Sequence, residues 1–166
     1  MKDAQYWVDK LAMQKHPEGG YFKETYRAAE VIAKTGLPSR YSGKRNFATA
    51  IYYLLVENDF SAFHRIKSDE TWHFYHGTGL ELFEIDSAGN LEKILLGPHP
   101  DSDMQFQYTI AAGNWFASSV FEKKGYALMG CTVAPGFDFN DFELADANTL
   151  ASSFPEHEAI IKALTR

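Results

Sequence analysis

Between residues 60 and 79 the chain reads FSAFHRIKSDETWHFYHGTG, which puts His64, Glu70, His73 and His76 within thirteen positions. Imidazoles and carboxylates hold divalent metals and also carry protons in acid–base catalysis, so the stretch raises both chemistries. Strand parity separates the four residues, because side chains alternate faces along a strand. In FSAFHRI, His64 shares a face with Phe60, Ala62 and Ile66. If Lys67-Ser68-Asp69 is a hairpin loop, Ile66 stands opposite Glu70 and His64 opposite Trp72. His64 and Glu70 are then diagonal neighbours, roughly 7 Å apart at Cα and on one face. His73 has the opposite parity, and His76 lies roughly 20 Å farther along the strand. For these two, packing or hydrogen bonding at a rim is the expected role. The cluster reduces to His64 and Glu70 over Ala62, Ile66, Trp72 and Phe74, the pattern of a ligand pocket with apolar walls and few convergent polar groups. An inward carboxylate without a partner is costly, which points to function at Glu70.

The elements that must position this pair are mostly strands. FATAIYYLLV (47–56), FSAFHRI (60–66), ETWHFYH (70–76), LELFEID (80–86), LEKILLG, QFQYTIA, WFASSVF and GYALMGCTV follow one another with turn signals between them. Short strands at about ten-residue spacing, with no helices between, predict a β-sandwich or barrel. Before them, Asp3 caps a short helix with Ala4, Trp7, Val8 and Leu11 on one face, and GYFKETYR reads as a strand. HPEGG (16–20) reads as turn chemistry that ends the helix, which accounts for His16 and Glu18. FPEHEAIIKALTR closes the chain as a helix with Ile160, Ala163 and Leu164 on one side. No linker or repeat interrupts the 166 residues, so a single domain over 1–166 is expected.

Composition removes several classes. With 16 basic and 22 acidic residues the net charge is −6, without the positive field of a nucleic-acid binder. The densest basic patch, Arg40, Lys44 and Arg45, falls in a Gly/Ser/Pro loop and reads as solvated surface, with a small anion as the alternative. Aromatics at 15% favour strands. The one cysteine, Cys131, excludes an internal disulfide, and its apolar setting YALMGCTVA reads as a buried core thiol, not a nucleophile. No leader-like stretch and no membrane-length apolar run is present, so a cytoplasmic protein is expected. PHPDSDMQF (98–106) lacks the glycine and terminal glutamate of a calcium loop, and APGFDFNDFELAD is expected to pack across the outside of the barrel.

His64, Glu70 and Gly77, at the spacing His-x5-Glu-x6-Gly, resemble the first motif of the cupin superfamily, and IAAGNWF (110–116) resembles the second, with Gly113 kept. The phrases HPEGGYFKETYR, TAIYYLL, FHRIKSDETWHFYHG, AAGNWFAS and GCTVAPGFDFNDFELA are similar to cupin family five, a domain of unknown function, over about residues 6–150. The resemblance implies an all-β, RmlC-like double-stranded β-helix, a jelly-roll barrel with short terminal helices, paired into homodimers. In cupins the usual metal ligands are three histidines and a glutamate. Matched position by position, His64 and Glu70 remain, while Ile66 and Phe116 stand where the other two histidines would be. Three protein ligands are the ordinary minimum for a catalytic ion, so no metal cofactor is expected beyond weak binding through His64 and Glu70. A bound ion would need a further ligand, with the N-terminal strand or the Gly20–Tyr26 region as its expected source.

Three functional readings follow. The first is a metal-independent epimerase or isomerase, with His64 as base, Glu70 fixing its tautomer and raising its pKa, and Tyr21, Tyr53 or Tyr126 as acid. The second is a non-enzymatic binding module in which Trp72, Phe74, Trp115 and Phe116 stack a sugar or planar ring, with Tyr21 and Tyr53 near the mouth. The third, a metal-dependent dioxygenase, fits the fold but not residues 66 and 116.

Overall fold

The computed structural model describes residues 2–166. Its elements are α1 (Ala4–Lys10), β1 (Gln14–Lys15), β2 (Tyr21–Arg27), β3 (Val31–Ile32), β4 (Arg45–Asn46), β5 (Thr49–Val56), β6 (Phe60–Arg65), β7 (Asp69–Gly77), β8 (Leu80–Ile85), β9 (Leu91–Leu96), β10 (Gln107–Ile110), β11 (Trp115–Val120), β12 (Tyr126–Ala134), β13 (Glu143–Leu144), α2 (Ala147–Ser153) and α3 (Glu158–Ala163). Two antiparallel sheets face each other. One has the order β1-β2-β5-β12-β7-β10, the other β13-β6-β11-β8-β9, and β3 and β4 form a small separate ribbon. This is a mostly-β jelly roll, and the strand series of the sequence reappears with its ends moved by one or two residues.

Alternation in the strands builds three apolar layers. Tyr53, Leu55, Trp72, Ile110, Met129 and Cys131 from the first sheet meet Leu80, Leu82, Leu96, Phe116 and Val120 from the second, forming the core between the sheets. The opposite parity of the second sheet, Phe63, Phe83, Ile85 and Ala117, is covered by Leu150, Ala151, Ile161 and Leu164 of the C-terminal segment. The outer face of the first sheet offers Leu54 and Leu128 to Trp7, Val8 and Leu11 of the N-terminal segment. The side chain of Asp3 accepts from the Tyr6 amide and caps α1 as its position predicts.

Two expectations change. The helix expected over FPEHEAIIKALTR is shorter, a turn at Pro155–His157 leading into α3 (Glu158–Ala163), and an unexpected helix, α2 (Ala147–Ser153), precedes it. More consequentially, β6 and β7 are not a hairpin. β6 pairs with β11 and β13 in one sheet, while β7 pairs with β12 and β10 in the other. The chain crosses between sheets at residues 66–68, so His64 lies opposite Phe116 and Leu144, and Glu70 opposite Val133 and Ile110. Greek-key barrels make this switch, which a two-strand register cannot reveal.

Candidate functional site

Although their strands lie in different sheets, His64 and Glu70 both point inward and line one cavity of about 80 Å³. Its walls include Phe22, Ile51, Tyr53, Ile66, Trp72, Cys131 and Val133, with Phe137, Phe139 and Phe142 at the opening beside Glu24 and Arg27. The hydrogen-bond partners of the pair differ from the expected ones. His64 Nδ1 lies 2.7 Å from the Ala62 carbonyl oxygen, which can only accept, so Nδ1 carries the proton. Nε2 then presents its lone pair to Glu18 Oε2, 3.1 Å away. Ser61 Oγ donates to the other Glu18 oxygen at 2.9 Å, and His16 Nδ1 lies 3.4 Å from Oε2.

Two acceptors cannot face each other at 3.1 Å without a proton between them. Burial raises the Glu18 pKa above the ordinary carboxylate value, and burial holds the His64 imidazole down at about 4. The proton therefore sits on the Glu18 carboxyl and is donated to His64 Nε2. This corrects the role expected for Glu70, which neither sets the His64 tautomer nor raises its pKa. The Ala62 carbonyl fixes the tautomer, and burial lowers the pKa. Glu70 itself is pushed up to about 8 by burial, with a hydrogen bond from the Cys131 thiol opposing. Cys131 is 2% exposed and its own pKa is raised by burial, the setting of an inert thiol.

Glu18 arrives on the HPEGG turn, which helix termination alone does not explain. The Glu18 carbonyl accepts from the Ala62 amide at 2.9 Å, stitching the turn to β6 two residues before His64. Gly19 and Gly20 have φ of +121° and +68°, and added Cβ atoms would lie 2.0 Å from the Phe60 carbonyl oxygen and 2.6 Å from that of Leu54. Only glycine allows this approach. The only advance signal was a double glycine after a glutamate, a turn that must press against other backbone. The phenylalanines of the opening were also missed. The segment 135–144 crosses the mouth and turns three aromatic side chains into it, in place of packing on the outside. Its Asp141 forms a two-bonded ion pair with Arg45, both bonds 2.5 Å long. Arg45 is thus buried, not part of a solvated patch.

The remaining candidates scatter. Tyr53 lines the cavity, and its hydroxyl donates to the Gly19 carbonyl at 2.8 Å. Trp72 lines it too. Phe116 is buried against the His64 ring, with centroids 4.0 Å apart. Tyr21 does not line the cavity; it faces an open hollow outside, under Lys15 at 3.8 Å. Phase along the strands places the others elsewhere. Phe74 packs on the core without reaching the cavity wall, and Trp115 lies on the helix-covered face beneath Arg65, 4.4 Å away. Tyr126 stacks on His76 beside Trp7, and His73 reaches Thr132 at 3.3 Å.

The donor set does not fit a cupin-type ion. His64 Nε2 is turned onto the Glu18 carboxyl, and Ile66 and Phe116 are buried apolar groups. Among the described residues no three His, Cys, Asp or Glu side chains are grouped to hold one.

These groups predict how stability follows pH. Folded His64 resists protonation down to about 4, whereas the unfolded side chain takes a proton near 6.5; its contribution is lost as pH falls through that window. Folded Glu70 keeps its proton to about 8 against 4.5 unfolded, so its contribution is full below 4.5 and is lost as pH rises toward 8. Between 4.5 and 6.5 the two slopes oppose; above 6.5 that of Glu70 continues alone. Urea unfolding should show a loss of about 2 kcal/mol between pH 6.5 and 8, to which Glu18 adds, and Glu70→Gln should flatten it. An unchanged slope in Glu70→Gln would contradict the assignment.

A jelly roll holding a buried acid–imidazole pair in its mouth defines a cupin-type barrel. The chain belongs to the Cupin_5 family of the cupin superfamily (DUF985), whose model matches residues 5–145. It is 27% identical over 146 residues to the uncharacterized protein YML079W of Saccharomyces cerevisiae, covering 82% of this chain and 72% of the yeast protein. A hypothetical protein from Leishmania major has a similar structure, with TM-score 0.89 and 33% identity over 99% of both chains. So has protein SO0799 from Shewanella oneidensis, with TM-score 0.89 and 32% identity over 100% of this chain and 99% of that one. Oxalate decarboxylase from Bacillus subtilis matches 90% of this chain with 36% of its own, at TM-score 0.55 and 15% identity, a likeness of fold alone.

Proposed function

We propose that the barrel binds a compact, neutral small molecule and exchanges a proton with it, as a metal-independent enzyme of the epimerase or isomerase type. The observation that carries this is the 3.1 Å contact between Glu18 and His64 inside an aromatic-walled cavity. Buried acid–base pairs with shifted pKa values cost stability and concentrate where chemistry needs them. The two groups hold one proton between them, and Glu70 stands in the same cavity as a second, neutral acid. A volume of about 80 Å³ matches a small keto compound, not a nucleotide sugar.

A second reading, a binding module without turnover, is favoured by one fact: His64 Nε2 is already occupied by Glu18, so a ligand can be held without any proton moving. Solvent deuterium separates the two. Incubating the protein in D2O with dihydroxyacetone should label the carbon beside the carbonyl faster than buffer alone, and His64→Asn should abolish the excess. Thermal stabilisation by the compound without labelling would leave the binding module. Homodimer formation belongs to the same proposal and rests on the family resemblance.

A further inference from the structure

Two polar groups of the cavity wall lack what buried polar groups ordinarily have. Trp72 is 1% exposed, yet its indole N–H finds no acceptor among the described residues. Glu70 is 8% exposed, and its hydrogen-bond partner is the weak thiol donor of Cys131. An unmet hydrogen bond at such depth is costly, and native proteins keep few. These two sit at i and i+2 of β7, so both side chains leave the same face of one strand, and both residues line the cavity. His64 approaches from the other sheet and Glu18 from the turn between β1 and β2, and the pair satisfies itself. The unmet donor and the weakly partnered acceptor therefore belong to one wall, two residues apart on β7.

We infer that β7 carries a subsite for a hydroxycarbonyl group, in which the ligand's carbonyl oxygen accepts from Trp72 Nε1–H and its neighbouring hydroxyl donates to Glu70. The assignment rests on the proposed binding role of the cavity and names the ligand class it takes. A carboxyl oxygen accepts in either protonation state, so the pairing does not depend on the charge of Glu70. An anionic ligand is disfavoured because the Glu24 carboxylate lines the cavity, while Arg27 is held by Glu24, Asn46 and the Phe137 carbonyl. A hydrocarbon would leave both vacancies unfilled. Ile51, Val133 and the phenylalanines of the mouth accommodate the carbon skeleton.

The test uses the full chain and three small probes of similar size, followed by amide chemical-shift titration. Hydroxyacetone has both groups, acetone lacks the donor, and 1,2-propanediol lacks the carbonyl. Hydroxyacetone should bind about tenfold more tightly than either relative, the worth of one ordinary hydrogen bond. Trp72→Phe and Glu70→Leu should each remove most of that advantage, whereas Glu70→Gln, which keeps an acceptor oxygen, should retain it. Acetone binding should be unmoved by Glu70→Leu. Equal affinity for the three probes, no detectable binding of hydroxyacetone, or full binding by Glu70→Leu would overturn the subsite. The wild-type probe series stands even if a variant fails to fold. Binding without deuterium uptake would overturn only the proton-exchange reading.

Discussion

Glu18→Gln should abolish proton exchange while leaving the fold and ligand binding nearly intact. The glutamine amide can donate to His64 Nε2 as the protonated carboxyl does, and its carbonyl oxygen can still accept from Ser61. Geometry is kept, but the transferable proton is gone. General acid–base catalysis contributes on the order of 10²–10⁴ in rate, so labelling of a keto probe should fall by at least two orders of magnitude. Glu18→Ala is the contrasting case. It leaves His64 and Ser61 without their shared partner in a buried site, and destabilisation should accompany the loss of exchange. If Glu18→Gln labels the probe at the wild-type rate, the pair does not carry the proton.

The largest stability effect should come from the clasp between Arg45 and Asp141. Both side chains are 3% exposed, both guanidinium contacts are 2.5 Å long, and Lys67 adds a longer one at 3.6 Å. Breaking a buried pair from one side leaves an uncompensated charge, which costs about 3–5 kcal/mol. Arg45→Ala and Asp141→Ala should each lower Tm by on the order of 10 °C for a chain of this size. The double variant should lose much less than the sum of the singles, because the residual charge disappears with its partner. The pair anchors the segment that carries Phe137, Phe139 and Phe142, so either single variant should also open the mouth and weaken probe binding. Calorimetry of the four proteins decides it; additive losses would mean that the contact contributes little.

The barrel was legible because its physics is local: alternating apolar strands, turn residues every ten positions and a capped first helix. The inward direction of His64 and Glu70 was legible for the same reason, since parity within a strand does not depend on which strand lies beside it. Their pairing was not. A three-residue connection between strands serves a hairpin and a sheet crossover equally well, and the choice is made by β11 and β12, which arrive some fifty residues later. Glu18 escaped notice because a turn has no periodicity to reveal which side chain points in. The aromatic segment 135–144 escaped because acidic residues next to phenylalanines look like surface, and only the buried Arg45 shows why Asp141 belongs inside. Tyr21, Phe74 and Trp115 were grouped by aromatic type, but their strand positions turn them away from the cavity.

The turn at residues 16–20 makes the acid the half of the pair placed by a turn and the imidazole the half placed by a strand. His64 is set within strand β6, whereas Glu18 owes its position to two neighbours whose side chains are single hydrogen atoms. A methyl group at either would collide with backbone oxygens of β5 or β6 and push the carboxyl, not the ring, out of reach. Relatives could therefore retune the acidity of the site by altering its rim, while every barrel strand stayed as it is.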